Sequence, residues 1–267
     1  MTPDFAIIIP ARFASTRYPG KPLALLRGAD GRARSLIERS WLAATAVAAP
    51  ERVWVATDDR RIAEAVAGFG GQVVMTRTRC RNGTERCAAA IEVLGEVAPI
   101  IVNLQGDAPL TPAFVVADLV AALAADPGAA MATPAVECSA SLYAHLINDQ
   151  AHGRVGGTTV VADAQGRALY FSKRVIPHLP ADAAAAHQAV RLHLGVYAYR
   201  PAALAAYAAQ EPSALELCEG LEQLRFLESG QPIRLVNFPA LEWDCIELNN
   251  PEDVPAIEAV LQTRGIR

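Results

Sequence analysis

The sequence predicts an α/β fold, Rossmann-like, with a mixed but mostly parallel sheet and helices on both faces. Three observations predict it. Short apolar runs of strand length alternate with helix-like stretches through the first half of the chain. Repeated strand-helix-strand units of this kind build a parallel sheet covered on both faces. Charged residues, among them Arg12, Arg17, Lys21 and Asp107, follow two of the apolar runs directly, and open α/β sheets hold ligands at such strand ends.

Taken in order, residues 5–9 (Phe-Ala-Ile-Ile-Ile) read as a buried strand that breaks into a cationic loop. A helix is expected over 35–48, then a strand over 52–56. Thr57-Asp58-Asp59 is an N-cap signal with acids at the start of a helix over 59–68. A strand over 72–76, a helix over 84–95 and a strand over 99–104 follow, the last ending at Gln105-Gly106-Asp107. A helix over 112–124 and a strand over 130–136 complete the regular half.

The second half is less regular. Residues 158–172 read as a hairpin around Gly166, and 175–190 as an exposed loop with Pro177 and Pro180. Residues 191–200 (Arg-Leu-His-Leu-Gly-Val-Tyr-Ala-Tyr-Arg) alternate as one strand. Helices are expected over 201–209 and 216–229, with a capped terminal helix after Asn249-Asn250-Pro251. No internal repeat or linker is visible. One domain over 1–267 is expected, with an inserted sub-region at about 138–200.

Composition narrows the function. The 267 residues are 52% hydrophobic and 19% charged, so the chain has material for a core. A net charge of −4 argues against general nucleic-acid binding. The five cysteines (Cys80, Cys87, Cys138, Cys218 and Cys245) are odd in number and form no CxxC pair. That disfavours a disulfide framework and a structural zinc site. No stretch approaches the roughly 20 apolar residues of a membrane span, and the apolar run after Met1 lacks the cationic lead of a signal peptide. A cytoplasmic protein with no membrane partner is expected.

The loop after the first strand carries Arg12, Arg17 and Lys21 among small and turn residues. Small residues let backbone N–H groups approach a phosphate, and the cations neutralise it. The pattern is neither a Walker loop nor GxGxxG. Asp107 is a carboxylate suited to a Mg²⁺ ion that bridges phosphates, or else a turn residue.

The stretch Ile-Ile-Ile-Pro-Ala-Arg-Phe-Ala-Ser-Thr-Arg-Tyr-Pro-Gly-Lys-Pro-Leu (7–23) closely resembles the N-terminal signature of sugar nucleotidyltransferases. The resemblance is in particular to the 3-deoxy-manno-octulosonate cytidylyltransferases (CMP-Kdo synthetases). It continues in order through Asn82-Gly83-Thr84-Glu85-Arg86, Val102-Asn103-Leu104-Gln105-Gly106-Asp107, the block ending Tyr170-Phe171-Ser172-Lys173, the 193–200 strand, the stretch 219–230 and Asn249-Asn250-Pro251-Glu252-Asp253.

That resemblance implies a CTP-dependent cytidylyltransferase with Mg²⁺, acting on a small acidic acceptor and forming a homodimer. It implies that Arg12, Lys21 and Asp107 are catalytic. Pro10, Ala11, Arg12, Ser15, Arg17, Lys21, Asn82, Gly83, Thr84, Arg86 and Gln105 would bind the nucleotide. Lys173, with Arg174 beside it, His193, Tyr197, Glu222 and Gln223 would face the acceptor, and Asp107 with Asn249 would hold the metal. Glu219, Glu222 and Gln223 would share one helix face.

Several positions depart from the family pattern. Asn249 stands where the family has an aspartate, and Glu247, of the same strand parity, is a possible replacement. Ala108 stands for Glu, Lys173 for Arg, and Gly156 and Thr159 for an amide and a lysine. The changes gather where acceptor and metal meet. The acceptor is therefore expected to be 3-deoxy-manno-octulosonate, a relative of it, or another small anion such as a phosphonate. A non-catalytic nucleotide binder is the alternative from another class.

Overall fold

The computed structural model describes residues 3–15, 17–179 and 186–267. The first half runs β1 (Ala6–Ala11), β2 (Leu25–Arg27), β3 (Ala33–Ser35), α1 (Leu36–Thr45), β4 (Val53–Thr57), α2 (Arg60–Gly68), β5 (Gln72–Met75), α3 (Gly83–Leu94), β6 (Ile101–Leu104), α4 (Ala113–Ala125) and β7 (Met131–Glu137). The second runs α5 (Ala140–Ala151), β8 (Thr158–Ala162), β9 (Ala168–Ser172), β10 (Arg191–His193), β11 (Val196–Tyr199), α6 (Pro201–Ala208), α7 (Ala214–Glu219), α8 (Leu224–Glu228), β12 (Ile233–Phe238) and α9 (Val254–Thr263). Short polar side chains start the helices as the sequence indicates. Ser35, Asp59 and Asn82 each accept a hydrogen bond from the first turn of α1, α2 and α3.

Among the described residues ten strands form one sheet, in the order β5-β4-β1-β6-β11-β7-β10-β8-β9, with β12 on β7. The β5-β4-β1-β6 half is wholly parallel. After β5 the chain returns to the other side of β1, so the strand order reverses there. Such a reversal opens a crevice at the carboxyl ends of the flanking strands.

The other half is antiparallel apart from the β7–β12 pair. β10 and β11 both run against β7, interrupted at Leu194-Gly195. β11 also pairs with β6, whereas β10 pairs with β8. The sheet thus forks at Leu194-Gly195, between the end of β6 and the start of β8.

Strand alternation sorts the core into two layers. Ile7 and Ile9 of β1 join residues of α1, α2 and α4 on one face. Ala6 and Ile8 join α3, α6 and α8 on the other. A third cluster packs Leu26, Leu36 and Leu110 against Leu248, Ile257 and Leu261, and so fastens the C-terminal arm to the loop after β6.

Three expectations are corrected. The 191–200 stretch forms two strands because the ribbon changes partner at Gly195. The 216–229 stretch is two helices: Gly220 takes a left-handed conformation at φ 62° and ends α7. Glu219 therefore does not share a helix face with Glu222 and Gln223. Residues 244–250 form no strand, although Leu248 N–H donates to the Asp107 carbonyl at 2.9 Å.

The β2–β3 hairpin, α5 and β12 were not expected from the sequence. β12 shows the alternation of a strand in Ile233-Arg234-Leu235, and α5 carries Ser139 as its cap. The 175–190 loop contains a 3₁₀ turn at Ala186–Ala189, and Pro180 lies outside the described residues.

Candidate active site

Two adjoining cavities, of about 600 and 1090 Å³, occupy the crevice and the fork. They share Arg17, Gln105, Asp107, Tyr197, Gln223 and Asn249 among their walls, so they form one cleft with two halves.

The smaller half is built on strand ends. Pro10, Ala11 and Arg12 leave β1, and Gln105, Gly106 and Asp107 leave β6. The two loops touch so closely that a Cβ on Gly106 would lie 2.7 Å from the Pro10 carbonyl oxygen. Only glycine fits there. The buried Ser40 hydroxyl of α1 donates to the Gly106 carbonyl and fixes that loop from below.

Ser15, Arg17 and Lys21 complete the cationic wall, and Asn82, Gly83 and Arg86 bring the N-terminus of α3 to it. Arg12 is exposed and makes no ion pair among the described residues. Lys21 Nζ pairs with Asp107 Oδ2 at 2.6 Å. Arg86 is buried, donates to Thr76 Oγ1 and lies 3.4 Å from Asp58.

The α3 loop serves partly as scaffold. Asn82 caps α3 through Oδ1, and its Nδ2 donates to the Tyr207 hydroxyl at 2.7 Å. Thr84 is buried with its hydroxyl 2.8 Å from that of Tyr199 and does not line the cleft. Its part is instead the backbone N–H, which donates to Glu222 Oε2 at 3.1 Å.

Glu222 lines the smaller cavity and also accepts from Gln105 Nε2 at 3.4 Å. Burial raises the Glu222 carboxyl above its usual range, and the Thr84 N–H opposes that shift. The turn carrying Glu222 is held by Arg225, whose guanidinium is 1% exposed and pairs with Glu216 at 2.6 Å and Glu85 at 3.3 Å.

The larger half lies in the fork. Lys173, His193, Tyr197 and Gln223 line it, on a column of rings in which His193, Tyr197 and Tyr199 lie 5.5 and 5.7 Å apart. Thr133 donates its one proton to the Val196 carbonyl, so it accepts from His193 Nε2–H at 2.9 Å. Nδ1 is then the ring's remaining acceptor. Burial lowers the His193 pKa to about 3, so the ring is neutral at physiological pH.

Tyr197 donates to Gln223 Oε1 at 3.4 Å, and Gln223 Nε2 is buried without a partner. Glu219 turns away from the cleft to accept from Ser172 and the Lys173 N–H. Arg174 does not line either cavity: its guanidinium donates to the Gln150 carbonyl on α5. Gly156 leaves room for Asp149, whose Oδ2 lies 2.9 Å from where a Cβ at 156 would sit. Asp149 is in turn paired with Arg154 at 2.6 Å.

At the junction of the halves, Asn249 Oδ1 accepts from Arg17 at 2.8 Å. Glu247 stands beside it, its carboxyl raised by burial and by the charge of Asp107. Asp107, Glu247 and Asn249 offer hard oxygen donors, the set that Mg²⁺ takes. Among the described residues no group of three or more His, Cys, Asp or Glu side chains forms a metal site by itself. Sequence reasoning missed Thr133 and Arg225, both set by contacts distant in the chain.

The cytidylyltransferase family profile matches residues 6–233. The chain is 45% identical to a 3-deoxy-manno-octulosonate cytidylyltransferase of Maricaulis maris, over 97% of both chains. It is 41% identical to one of Syntrophotalea carbinolica, over 96% of this chain and 97% of that one. Its fold matches a solved CMP:2-keto-3-deoxy-manno-octonic acid synthetase complexed with CTP, with a TM-score of 0.82 and 33% identity over 97% and 99% of the two chains. Among the described residues no helix is long and apolar enough to cross a membrane.

Proposed function

The chain belongs to the 3-deoxy-manno-octulosonate cytidylyltransferase family, transferring CMP from CTP to that sugar acid, and from this premise we propose how its cleft divides the work. CTP occupies the smaller half. The backbone at Pro10 and Ala11, with Gln105 and the 82–86 loop, meets cytosine, while Arg12, Ser15, Arg17 and Lys21 meet the triphosphate. The sugar acid occupies the fork. Arg17 and Lys173 face its carboxylate, His193, Tyr197 and Gln223 take its hydroxyls, and Glu222 reaches them from the wall of the smaller half. A neutral His193 suits a hydroxyl partner, because it offers an acceptor and no charge.

An acceptor oxygen attacks the α-phosphorus and pyrophosphate leaves. Charge builds on the leaving group, so catalysis is largely positioning and neutralisation. Lys21 and Asp107 carry the reading: they meet at 2.6 Å where the two halves join, which is where the transferred phosphorus must lie. Mg²⁺ held by Asp107 and its neighbours would add positive charge to the phosphates.

We also propose a cytoplasmic location, which five unpaired thiols support, and a place in lipopolysaccharide precursor synthesis. The proposed homodimer forms through the sub-region at about 138–200, where Ile147, Val155 and Leu169 are exposed.

The test is pyrophosphate release from CTP and Mg²⁺ across 3-deoxy-manno-octulosonate, its 8-amino analogue, sialic acid and phosphonoformate. Turnover is expected with the octulosonate. Silence there, with turnover on phosphonoformate, would reassign the fork to another anion.

A further inference from the structure

Resting on the reading above, we propose that Glu247, and not Asn249, joins Asp107 in holding the divalent cation. The C-terminal arm presents Asn249 at the junction of the two halves and Glu247 beside it on the wall of the larger half. Leu248 N–H donates to the Asp107 carbonyl at 2.9 Å, and the Leu248 side chain is fully buried in the third core cluster. Trp243 Nε1 donates to the Leu110 carbonyl at 3.0 Å and ties the arm down a second time. With Leu248 turned inward, its neighbours 247 and 249 face the cleft.

Asn249 is already committed. Its Oδ1 faces the Arg17 guanidinium at 2.8 Å, its Nδ2 donates towards Glu247 Oε2 at 3.5 Å, and its backbone N–H donates to Asp253. An oxygen that faces one cation is a poor ligand for a second, and an amide brings no charge to offset the repulsion.

Glu247 is in the opposite condition. Its only hydrogen bond among the described residues is the long one from Asn249, and Oε1 has none. Oε1 lies 3.1 Å from where a Cβ on Gly195 would sit, and the same point is 3.7 Å from Gln105 Cγ. The carboxylate therefore stands at the fork, opposite the loop that carries Asp107. A recessed, unpaired carboxylate there would repel an incoming triphosphate. A cation between them reverses the sign of that interaction. Mg²⁺ is commonly held by one or two carboxylates together with substrate phosphates, so the site is completed only when CTP arrives.

The experiment uses Mn²⁺ as probe and follows its free-ion paramagnetic resonance signal, with and without CTP. In the native chain CTP should tighten Mn²⁺ binding. Glu247→Gln should lower that coupling about tenfold or more, while CTP binding in chelator is no weaker than native, because a repelling charge is gone, and so reports a folded nucleotide half. Asn249→Ala should change the coupling by less than about threefold, and Glu247→Asp should recover part of it. Loss of coupling in Asn249→Ala with retention in Glu247→Gln would overturn the proposal, as would no coupling in the native chain. Turnover of the octulosonate by the native chain tests the underlying reading separately. Turnover with intact coupling in Glu247→Gln sinks this proposal alone.

Discussion

The two halves of the cleft are built differently. The half proposed for the nucleotide stands on the parallel core, and its walls are strand ends and the start of α3, closed on one side by α7 and the α7–α8 turn. Much of it is backbone held by close packing, as at Gly106 and Pro10. The half proposed for the acceptor lies in the fork of the antiparallel region, with walls from α5, β8, Lys173 after β9, β10, β11, the α7–α8 turn and the C-terminal arm. Contacts made by backbone groups tolerate few changes of chain path, whereas side chains on separate elements can be exchanged one at a time. The departures from the family pattern follow that division. Gly156 and Lys173 line the fork, Asn249 stands at the junction, and Ala108 and Thr159 line neither cavity, while the loop of Arg12, Arg17 and Lys21 is unaltered.

The sharpest way to break this comparison is to damage one half and read the other. Lys21→Met removes a cation from the place where charge builds. It should lower kcat by about 10² to 10³ and raise the KM for CTP, while the KM for the acceptor moves little. Steady-state kinetics with each substrate varied in turn gives all three values. An acceptor KM that rises as steeply as kcat falls would mean the halves do not act separately.

A smaller effect sharpens the acceptor side. His193 is held neutral by burial, with its pKa lowered from 6.5 to about 3. The unfolded chain takes up this proton below pH 6.5, and the folded chain does not until about pH 3. The contribution is thus fully present above pH 6.5 and declines as pH falls towards about 3. Between pH 6.5 and 5 the native chain should lose about 2 kcal/mol that His193→Gln does not lose. Denaturant unfolding at the two pH values measures the difference in slope, whatever the variant's own stability. Equal slopes would mean that the folded chain protonates His193 over the same range as the unfolded chain, so that the ring would become a cation as pH falls below 6.5.

The same division governs what the sequence reveals. The parallel half is local: each strand, its loop and the following capped helix are contiguous, so β1, β4, β5, β6 and the cations after β1 can be read from short stretches. The fork is not local. The change of partner at Leu194-Gly195 depends on β6 and β8, which lie about 90 and 35 residues earlier in the chain. The inward turn of Thr84 depends on Tyr199, and the loss of Arg174 from the cleft depends on α5. Glu219 and Glu222 look alike by helical spacing until Gly220 interrupts the helix and sends them in opposite directions.

Gly220 also gives the finest test of the fork. It ends α7 at φ 62°, a conformation that L side chains adopt at a cost of roughly 1–2 kcal/mol. A Cβ there would lie 2.8 Å from Lys173 Nζ, so a side chain must also push the ammonium aside. Gly220→Ala combines strain and displacement. Its Tm should fall by a few degrees, and its acceptor KM should rise about three- to fivefold, the scale of one partly exposed ion pair. Gly220→Asn separates the two effects, because asparagine tolerates the left-handed conformation but still carries the Cβ. It should recover most of the Tm and keep the raised KM. A native KM in Gly220→Asn would show that Lys173 contributes nothing to acceptor binding. The cation facing the sugar carboxylate would then be Arg17, which belongs to both halves, and the boundary between them would move to that residue.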